Sequence, residues 1–424
     1  MKIEIQNLGP IHHFEFDLEK DLHLLYGENN VGKSFAVNVV YCLLKVLFRD
    51  RNVPIKEYML DVTVDQALTE EVLVKKITKF WNEIIIKEIN LIIQNTYDYL
   101  LPANLILSES QNLLIIKTDE YSIQLGVSTS QQFVLKNITI NAGFKDMTAL
   151  DKSKDTFQYL LLPFFFTTRL TNIFKNVYFL PASKSGLYPP LSGMGKILAE
   201  LSQYRNKLLS KVELPALSEP VSDYYLNLIN IEENRKIQSA IFSLGEKIEE
   251  KLLNGKISID NESKKIYYNS KENNTLINIS QAASMISELA PIALFLKYVI
   301  PFDGEINSLL IIEEPEAHLH PKVQVQLMEI FAELTKHNVK VILTSHSNYM
   351  FNKLSNMLLK KEIAPEKVGV YHMVMTEKGS VVEPDMQATQ HGIEDHNFAD
   401  VARELYQERL ETYDLLNEDP DADK

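Results

Sequence analysis

Cysteine is nearly absent. Cys42 is the single one in 424 residues, which excludes an internal disulfide framework and a cysteine metal cluster. It falls in an apolar segment with helical spacing and is expected to be packed rather than reactive. Long apolar runs are missing too. The longest candidate, around Tyr159 to Phe166, ends at Thr167-Thr168-Arg169 and falls short of the ~18–20 residues of a membrane span. The start, Met1-Lys2-Ile3-Glu4-Ile5, alternates like a strand and carries no apolar signal-peptide region. A cytoplasmic protein with no membrane partner is therefore expected. Positive charge is in deficit: 43 Lys and Arg against 57 Asp and Glu leave a net charge of −14. That balance argues against a generic nucleic-acid coat, while leaving room for nucleic-acid contact through a local patch or a basic partner. No internal repeat, extended low-complexity segment or heptad run beyond a few turns is found. The acidic end, Glu418-Asp419-Pro420-Asp421-Ala422-Asp423, reads as a solvated tail.

What is present is ordinary in bulk. Apolar residues make up 45% and charged residues 24% of the chain, as in a globular protein, and the length suggests two or three structural units. One stretch stands out. Gly27-Glu28-Asn29-Asn30-Val31-Gly32-Lys33-Ser34 fits G-x-x-x-x-G-K-[ST], the phosphate-cradling P-loop. The apolar run Leu22–Tyr26 precedes it and a helical pattern from Phe35 to Phe48 follows. Strand, glycine loop and helix form the context in which loop N–H groups and a helix N-terminus converge on an anion. Lys33 would reach the β and γ phosphates of ATP and Ser34 would bind Mg²⁺.

Along the chain, Lys2–Ile5 and Phe14–Leu18 read as strands around a turn at Gly9-Pro10, forming with Leu22–Tyr26 the edge of a sheet. Helical periodicity runs from Val53 to about Leu100, with Trp81 inside it. Four runs, Leu105–Leu107, Leu113–Lys117, Tyr121–Leu125 and Phe133–Ile140, resemble an antiparallel meander. A helix from Thr156 to Phe174 leads into the strand Val177–Leu180 and a loop, Pro181–Gly186, at its carboxyl end, the edge where open α/β sheets bind ligands. Gly195–Leu253 is helical, interrupted at Pro215 and Pro220. Lys256–Ile259 and Lys265–Tyr268 flank a turn, and helices are expected over Ser280–Ile300, Lys322–Lys336 and Phe398–Leu416.

A P-loop alone names a phosphate site; an ATPase also needs a metal holder and a group to orient water. Leu309–Ile312 has the continuous apolar character of a buried parallel strand and delivers Glu313 and Glu314 to its end, about 280 residues after the P-loop. Glu313 would support Mg²⁺, through water given that ion's habit of retaining waters. Glu314 would polarise the attacking water. A second buried strand, Lys340–Thr344, ends in Ser345-His346-Ser347.

The string Glu313-Glu314-Pro315-Glu316-Ala317-His318-Leu319-His320-Pro321, with the P-loop upstream and Thr344-Ser345-His346-Ser347 downstream, resembles the ABC-type ATPase family. The similarity is to the group containing the overcoming-lysogenization-defect (OLD) and RecF-like ATPases, and within it to the standalone AAA-family ATPases of bacterial antiphage systems. The resemblance covers the nucleotide-binding core and reaches the inserts only in their placement. It implies an α/β fold: an ABC-ATPase-like P-loop core with a mostly parallel sheet, an antiparallel N-terminal sheet, and α/β and helical inserts. The core is expected over residues 1–50, 176–190 and 276–375. Residues 51–175 would be a helix and β-meander insert, 191–275 a helical insert with a short hairpin, and 376–424 a helical segment with the acidic tail.

The resemblance also implies ATP sites between two head-to-tail subunits, with a signature loop of one facing the P-loop of the other. The corresponding stretch is Ser280–Leu289, with Ser284 as the γ-phosphate donor. It lacks the Ser-Gly-Gly core of transporter signatures, and Ala283 stands where relatives often carry serine, so a plain helix cap is the alternative. His346 matches the family's switch histidine at the γ-phosphate. Glu316, His318 and His320 do not have H-E-x-x-H spacing, and the family loop accounts for them as an interface element rather than a metal site. Lys184 occupies a loop that often carries arginine in relatives; phosphate contact without arginine's planar fork and an ordinary surface lysine both stand open. The magnesium-lining glutamine of many relatives has no assigned position here.

Only about 50 residues follow Thr376, too few for the nuclease domain of OLD-type relatives, so a nuclease output would belong to another chain. The expected function is an ATPase that hydrolyses ATP at dimer or higher homo-oligomer interfaces and controls a separate effector, a nuclease or toxin, in antiphage defence. A RecF- or Rad50-like repair ATPase and a slow-hydrolysing ATP-bound scaffold are the alternatives.

Overall fold

The structure is a computed structural model, and it describes residues 1–47, 70–97, 112–118, 121–140, 174–184, 217–232, 239–261, 263–272, 275–300, 307–384, 386–394 and 398–418. The Leu105–Leu107 run, nearly all of the Thr156–Phe174 helix, Pro215 and parts of the first and second inserts lie outside the described residues.

In chain order the strands are β1 (Lys2–Leu8), β2 (Ile11–Asp17), β3 (Leu22–Gly27), β4 (Leu113–Lys117), β5 (Tyr121–Val127), β6 (Phe133–Ile140), β7 (Asn176–Leu180), β8 (Gly255–Ile259), β9 (Ile266–Ser270), β10 (Leu276–Asn278), β11 (Ser308–Glu313), β12 (Val339–Ser345), β13 (Val368–Thr376) and β14 (Gly379–Val382). The helices are α1 (Lys33–Leu47), α2 (Glu70–Phe80), α3 (Ile86–Thr96), α4 (Glu219–Ile229), α5 (Ala240–Lys247), α6 (Ser284–Leu294), α7 (Pro321–Thr335), α8 (Asn348–Leu359) and α9 (Phe398–Glu418). Single π-helical turns, Trp81–Ile85, Ile248–Leu252 and Phe295–Val299, extend α2, α5 and α6.

Eleven strands form one sheet in the order β6-β5-β4-β1-β2-β14-β13-β3-β12-β11-β7. From β13 to β7 every neighbouring pair is parallel. From β2 through β1, β4 and β5 to β6 every pair is antiparallel. The β13–β14 hairpin joins the halves, β14 running parallel to β2. The N-terminal antiparallel strands and the meander thus continue the sheet of the core. β3 does not extend β1 and β2 along an edge as expected from the sequence; it lies between β13 and β12. All six of its residues are buried, so both its faces need cover, which only an interior position supplies. β8, β9 and β10 form a separate antiparallel sheet.

Side-chain alternation divides the core into two layers. Leu25, Leu309, Ile311 and Ile342 face the cluster that includes α1 and the Trp81 region. Leu24, Leu310, Ile312, Val341 and Leu343 face the cluster built from α5, α6, α7 and α8. The parallel strands are therefore sandwiched between helices, and their carboxyl ends open together. Among the described residues no helix is long and apolar enough to cross a membrane. In α9, residues 403–413 are exposed throughout, including Leu405, Tyr406, Leu410 and Tyr413.

Candidate functional site

The first wall of the site is the turn after β3. Gly27 sits at φ 140°, and a Cβ there would lie 2.2 Å from the Met373 carbonyl oxygen of the neighbouring strand. Gly32 sits at φ 82°, and its Cβ would meet Ile11 and Pro10 of the β1–β2 turn at 2.9 and 3.0 Å. These positions require glycine for both conformation and space. Asn30 also takes a left-handed conformation, φ 64°. The Ala36 amide donates to the Gly32 carbonyl and closes the first turn of α1, whose first turn carries no acidic residue. Lys33 folds over the loop, its Nζ donating to the carbonyls of Gly27 at 3.0 Å and Glu28 at 2.7 Å. Burial lowers its pKa to about 8, against the opposing pull of the Glu314 and Glu316 carboxylates.

The second wall is the end of β11. Glu313 is the last strand residue and only 6% exposed. Burial raises its pKa; contacts with the Ser34 hydroxyl, the Ala182 amide and Lys184 work in the opposite direction, and Glu314 adds to the rise. Among the described residues its Oε1 is buried with no hydrogen-bond partner. At Glu314 the backbone turns left-handed, φ 42°, while its amide donates to the Thr344 carbonyl at 3.0 Å. A non-glycine residue in that region costs on the order of 1–3 kcal/mol and is held by its surroundings.

The third wall follows β12. His346 Nε2 stands 3.9 Å from Glu314 Oε1, with both side chains about a third exposed (33% and 39%). Burial and the nearby Lys33 cation lower the His346 pKa, with Glu314 and the Gly27 backbone pulling the other way.

Two residues take roles that local patterning did not reveal. Glu316 is an organiser of the β12 turn: its Oε1 accepts from Ser345 Oγ at 2.8 Å and from the His346 amide at 2.5 Å. Ser347 then caps α8 through the Met350 amide and donates to Gln324. His318 is exposed at φ 60° and His320 caps α7, its Nδ1 accepting from the Lys322 amide. No metal-binding cluster of three or more such side chains exists among the described residues.

Lys184 is not a surface lysine. Ser183 adopts φ 51°, and Lys184 then enters the core with a side chain 1% exposed. Its Nζ donates to the Glu313 carbonyl at 2.9 Å and lies 3.9 Å from Glu288 Oε2, which also accepts from the Lys184 amide at 3.1 Å. Burial lowers its pKa against the surrounding carboxylates of Glu288, Glu313, Glu316 and Glu314. The only sequence signal is its place after a strand; its neighbours come from residues over 100 positions away.

The structure thus gathers Lys33, Ser34, Glu313, Glu314 and His346 at one sheet edge. Ser284 is exposed at the start of α6, behind Ala283, whose side chain makes no cap. Residues 192–351 match the family model described as AAA ATPase domain. The match covers less than half of the 424 residues. Within the matched residues lie Ser284, Glu313, Glu314 and His346; the P-loop lies upstream of them. No curated protein matches the chain. Solved structures similar to the chain include an SMC head bound to the C-terminal winged-helix domain of ScpA, at 10% identity and TM-score 0.41, covering 90% of this chain and 96% of that one. Others are the SMC head domain from Thermotoga maritima, at 9% identity and TM-score 0.35, covering 90% and 97%, and the SMC head with an extended coiled coil bound to the C-terminal domain of ScpA, derived from Pyrococcus furiosus, at 12% identity and TM-score 0.40, covering 96% and 98%.

Proposed function

We propose that the chain binds ATP with Mg²⁺ and hydrolyses it at a site completed by a second copy, and that nucleotide state controls a partner effector, a nuclease or toxin, in antiphage defence. The observation that carries this is the meeting of a P-loop lysine and serine with two carboxylates and a histidine from two adjacent strand ends.

The donor set fits a hard cation: Glu313 Oε1 is buried without a hydrogen-bond partner, and the Ser34 hydroxyl lies beside the same carboxylate. Ser34 and Glu313 would hold Mg²⁺, Glu313 directly or through water. The ion, when bound, supplies charge neutralisation at the phosphates. Loop N–H groups of residues 27–34 bind phosphate oxygens, and Lys33 exchanges its two loop carbonyls for them. Glu314 accepts a proton from the attacking water, and His346 orients the γ-phosphate. Exposed Ser284, at a helix N-terminus, offers its hydroxyl and amide to the γ-phosphate held by the partner copy.

Equilibrium binding of a fluorescent ATP analogue to wild-type chain and to Lys33→Ala tests the assignment. Micromolar-range binding that Lys33→Ala weakens at least tenfold is expected; equal affinity in both rejects it. The antiphage role is supported by the likeness of the 313–321 string to OLD-type ATPases. A slow-hydrolysing scaffold is favoured by one feature, the exposed leucines and tyrosines of α9; co-purification of an effector with negligible phosphate release would select it. A RecF- or Rad50-like repair ATPase would share the same site, and ATP-dependent binding of the chain alone to DNA ends would select that role.

A further inference from the structure

Lys184 lies between two parts of the chain that serve different halves of the proposed composite site. On one side its ammonium donates to the carbonyl of Glu313 at 2.9 Å. The carboxylate of that residue lies against Ser34 and presents the partnerless Oε1. On the other side, Lys184 meets Glu288 twice, through its amide at 3.1 Å and its ammonium at 3.9 Å. Glu288 is 2% exposed and lies one helical turn beyond Ser284 on α6, and residues four apart share a helix face. Both side chains are buried, so separating them would remove a close contact between ionisable groups in the core.

We propose that Lys184 is a positioning residue that couples α6 to the cation-facing carboxylate Glu313. Loading of the chain's own site with nucleotide and divalent cation then shifts the helix that carries Ser284 toward the neighbouring copy. This rests on the nucleotide site proposed above. The coupling is reciprocal by linkage: whatever engages Ser284 changes cation-dependent affinity at Glu313 by the same factor. A surface lysine would have no such consequence.

The test is hydrogen–deuterium exchange on the full chain with ADP and Mg²⁺. ADP fills the P-loop and has no γ-phosphate to offer a second copy, so direct bridging does not contribute. In wild type, amides of 27–34 and of 284–294 should both slow, the latter on the order of fivefold or more. In Lys184→Met and Glu288→Gln, 27–34 should still respond while the 284–294 response disappears. The Mg²⁺-dependent gain in ADP affinity should shrink by a similar factor. Glu288→Gln keeps the side chain's size and the acceptor for the Lys184 amide, so it decides the matter if Lys184→Met does not fold. A purely structural role would lower the melting temperature of both variants and leave the two responses linked. A persistent 284–294 response in either folded variant, or none in wild type while 27–34 responds, overturns the coupling. Absence of any wild-type response at 27–34 rejects the nucleotide site itself, and this role with it.

Discussion

Glu314 and His346 face each other from the ends of adjacent parallel strands, Oε1 and Nε2 3.9 Å apart. Burial and the Lys33 cation lower the imidazole's pKa from its usual 6.5, which disfavours an ion pair between the two. An uncharged ring would leave the Glu314 carboxylate available for the proton-accepting role proposed for it. Its left-handed backbone, φ 42°, turns it out of the strand that buries Glu313.

Glu314→Gln should therefore bind ATP with affinity within about twofold of wild type, while phosphate release falls at least ~100-fold, the usual scale of a lost general base. A phosphate-release assay beside equilibrium binding separates the two effects, and undiminished turnover removes Glu314 from the chemistry.

Gly27→Ala should fail for a geometric reason. The new Cβ would stand 2.2 Å from the Met373 carbonyl oxygen at φ 140°, so β3 and β13 must part. Overpacking of this kind costs about 1–3 kcal/mol, and strain in the loop should abolish nucleotide binding as well. Thermal unfolding and ATP binding measured together check both effects; a variant with native melting temperature and affinity contradicts the close approach of these two strands.

At Glu316 the two obvious substitutions should diverge. Glu316→Gln preserves an acceptor for Ser345 Oγ and the His346 amide and removes the ionisable group whose burial raises the carboxyl's pKa. It should fold with a melting temperature close to wild type. Glu316→Ala orphans both donors, a loss of about 1–3 kcal/mol, and should slow hydrolysis by loosening His346. Equal stability of the alanine and glutamine variants would mean that these hydrogen bonds do not hold the turn.

His23 sets an acid limit. It is fully buried, stacked on Phe16 at 4.3 Å between ring centres, and burial pushes its pKa from 6.5 to about 3. The folded state binds fewer protons than the unfolded state between those values, so stability rises with pH across that window. The contribution is complete above pH 6.5 and is lost as pH falls toward 3. His23→Gln keeps a donor for the Lys20 carbonyl that Nε2 contacts. It should flatten the slope of unfolding free energy against pH in urea titrations; an unchanged slope assigns the acid sensitivity elsewhere.

Much of this architecture is legible in local patterning. Leu22–Tyr26, Leu309–Ile312 and Lys340–Thr344 are apolar on both faces, which marks interior parallel strands, and each ends in the polar residues that meet at the site. Glycine spacing places the P-loop, and α1 begins at Lys33 as that motif requires. What local patterning does not carry is pairing between distant segments. Chain order puts β3 beside β1 and β2, whereas in the sheet β13 and β14 intervene. β10, short and only partly buried, gives too weak an alternation to be recognised, yet it completes the small sheet. The roles of Lys184 and Glu316 are hidden for the same reason: a charged residue's burial depends on partners that chain position does not reveal.

The turn at Gly9-Pro10 has one more consequence. The Phe35 ring presses on Gly9, Pro10 and Ile11 close over Gly32, and the Pro10 carbonyl accepts from the Ser380 amide. The rear of the phosphate loop is thus held against the strands that join the two halves of the sheet. An adjustment of the loop would bear first on β1 and β2, and through their pairing on β4, β5 and β6.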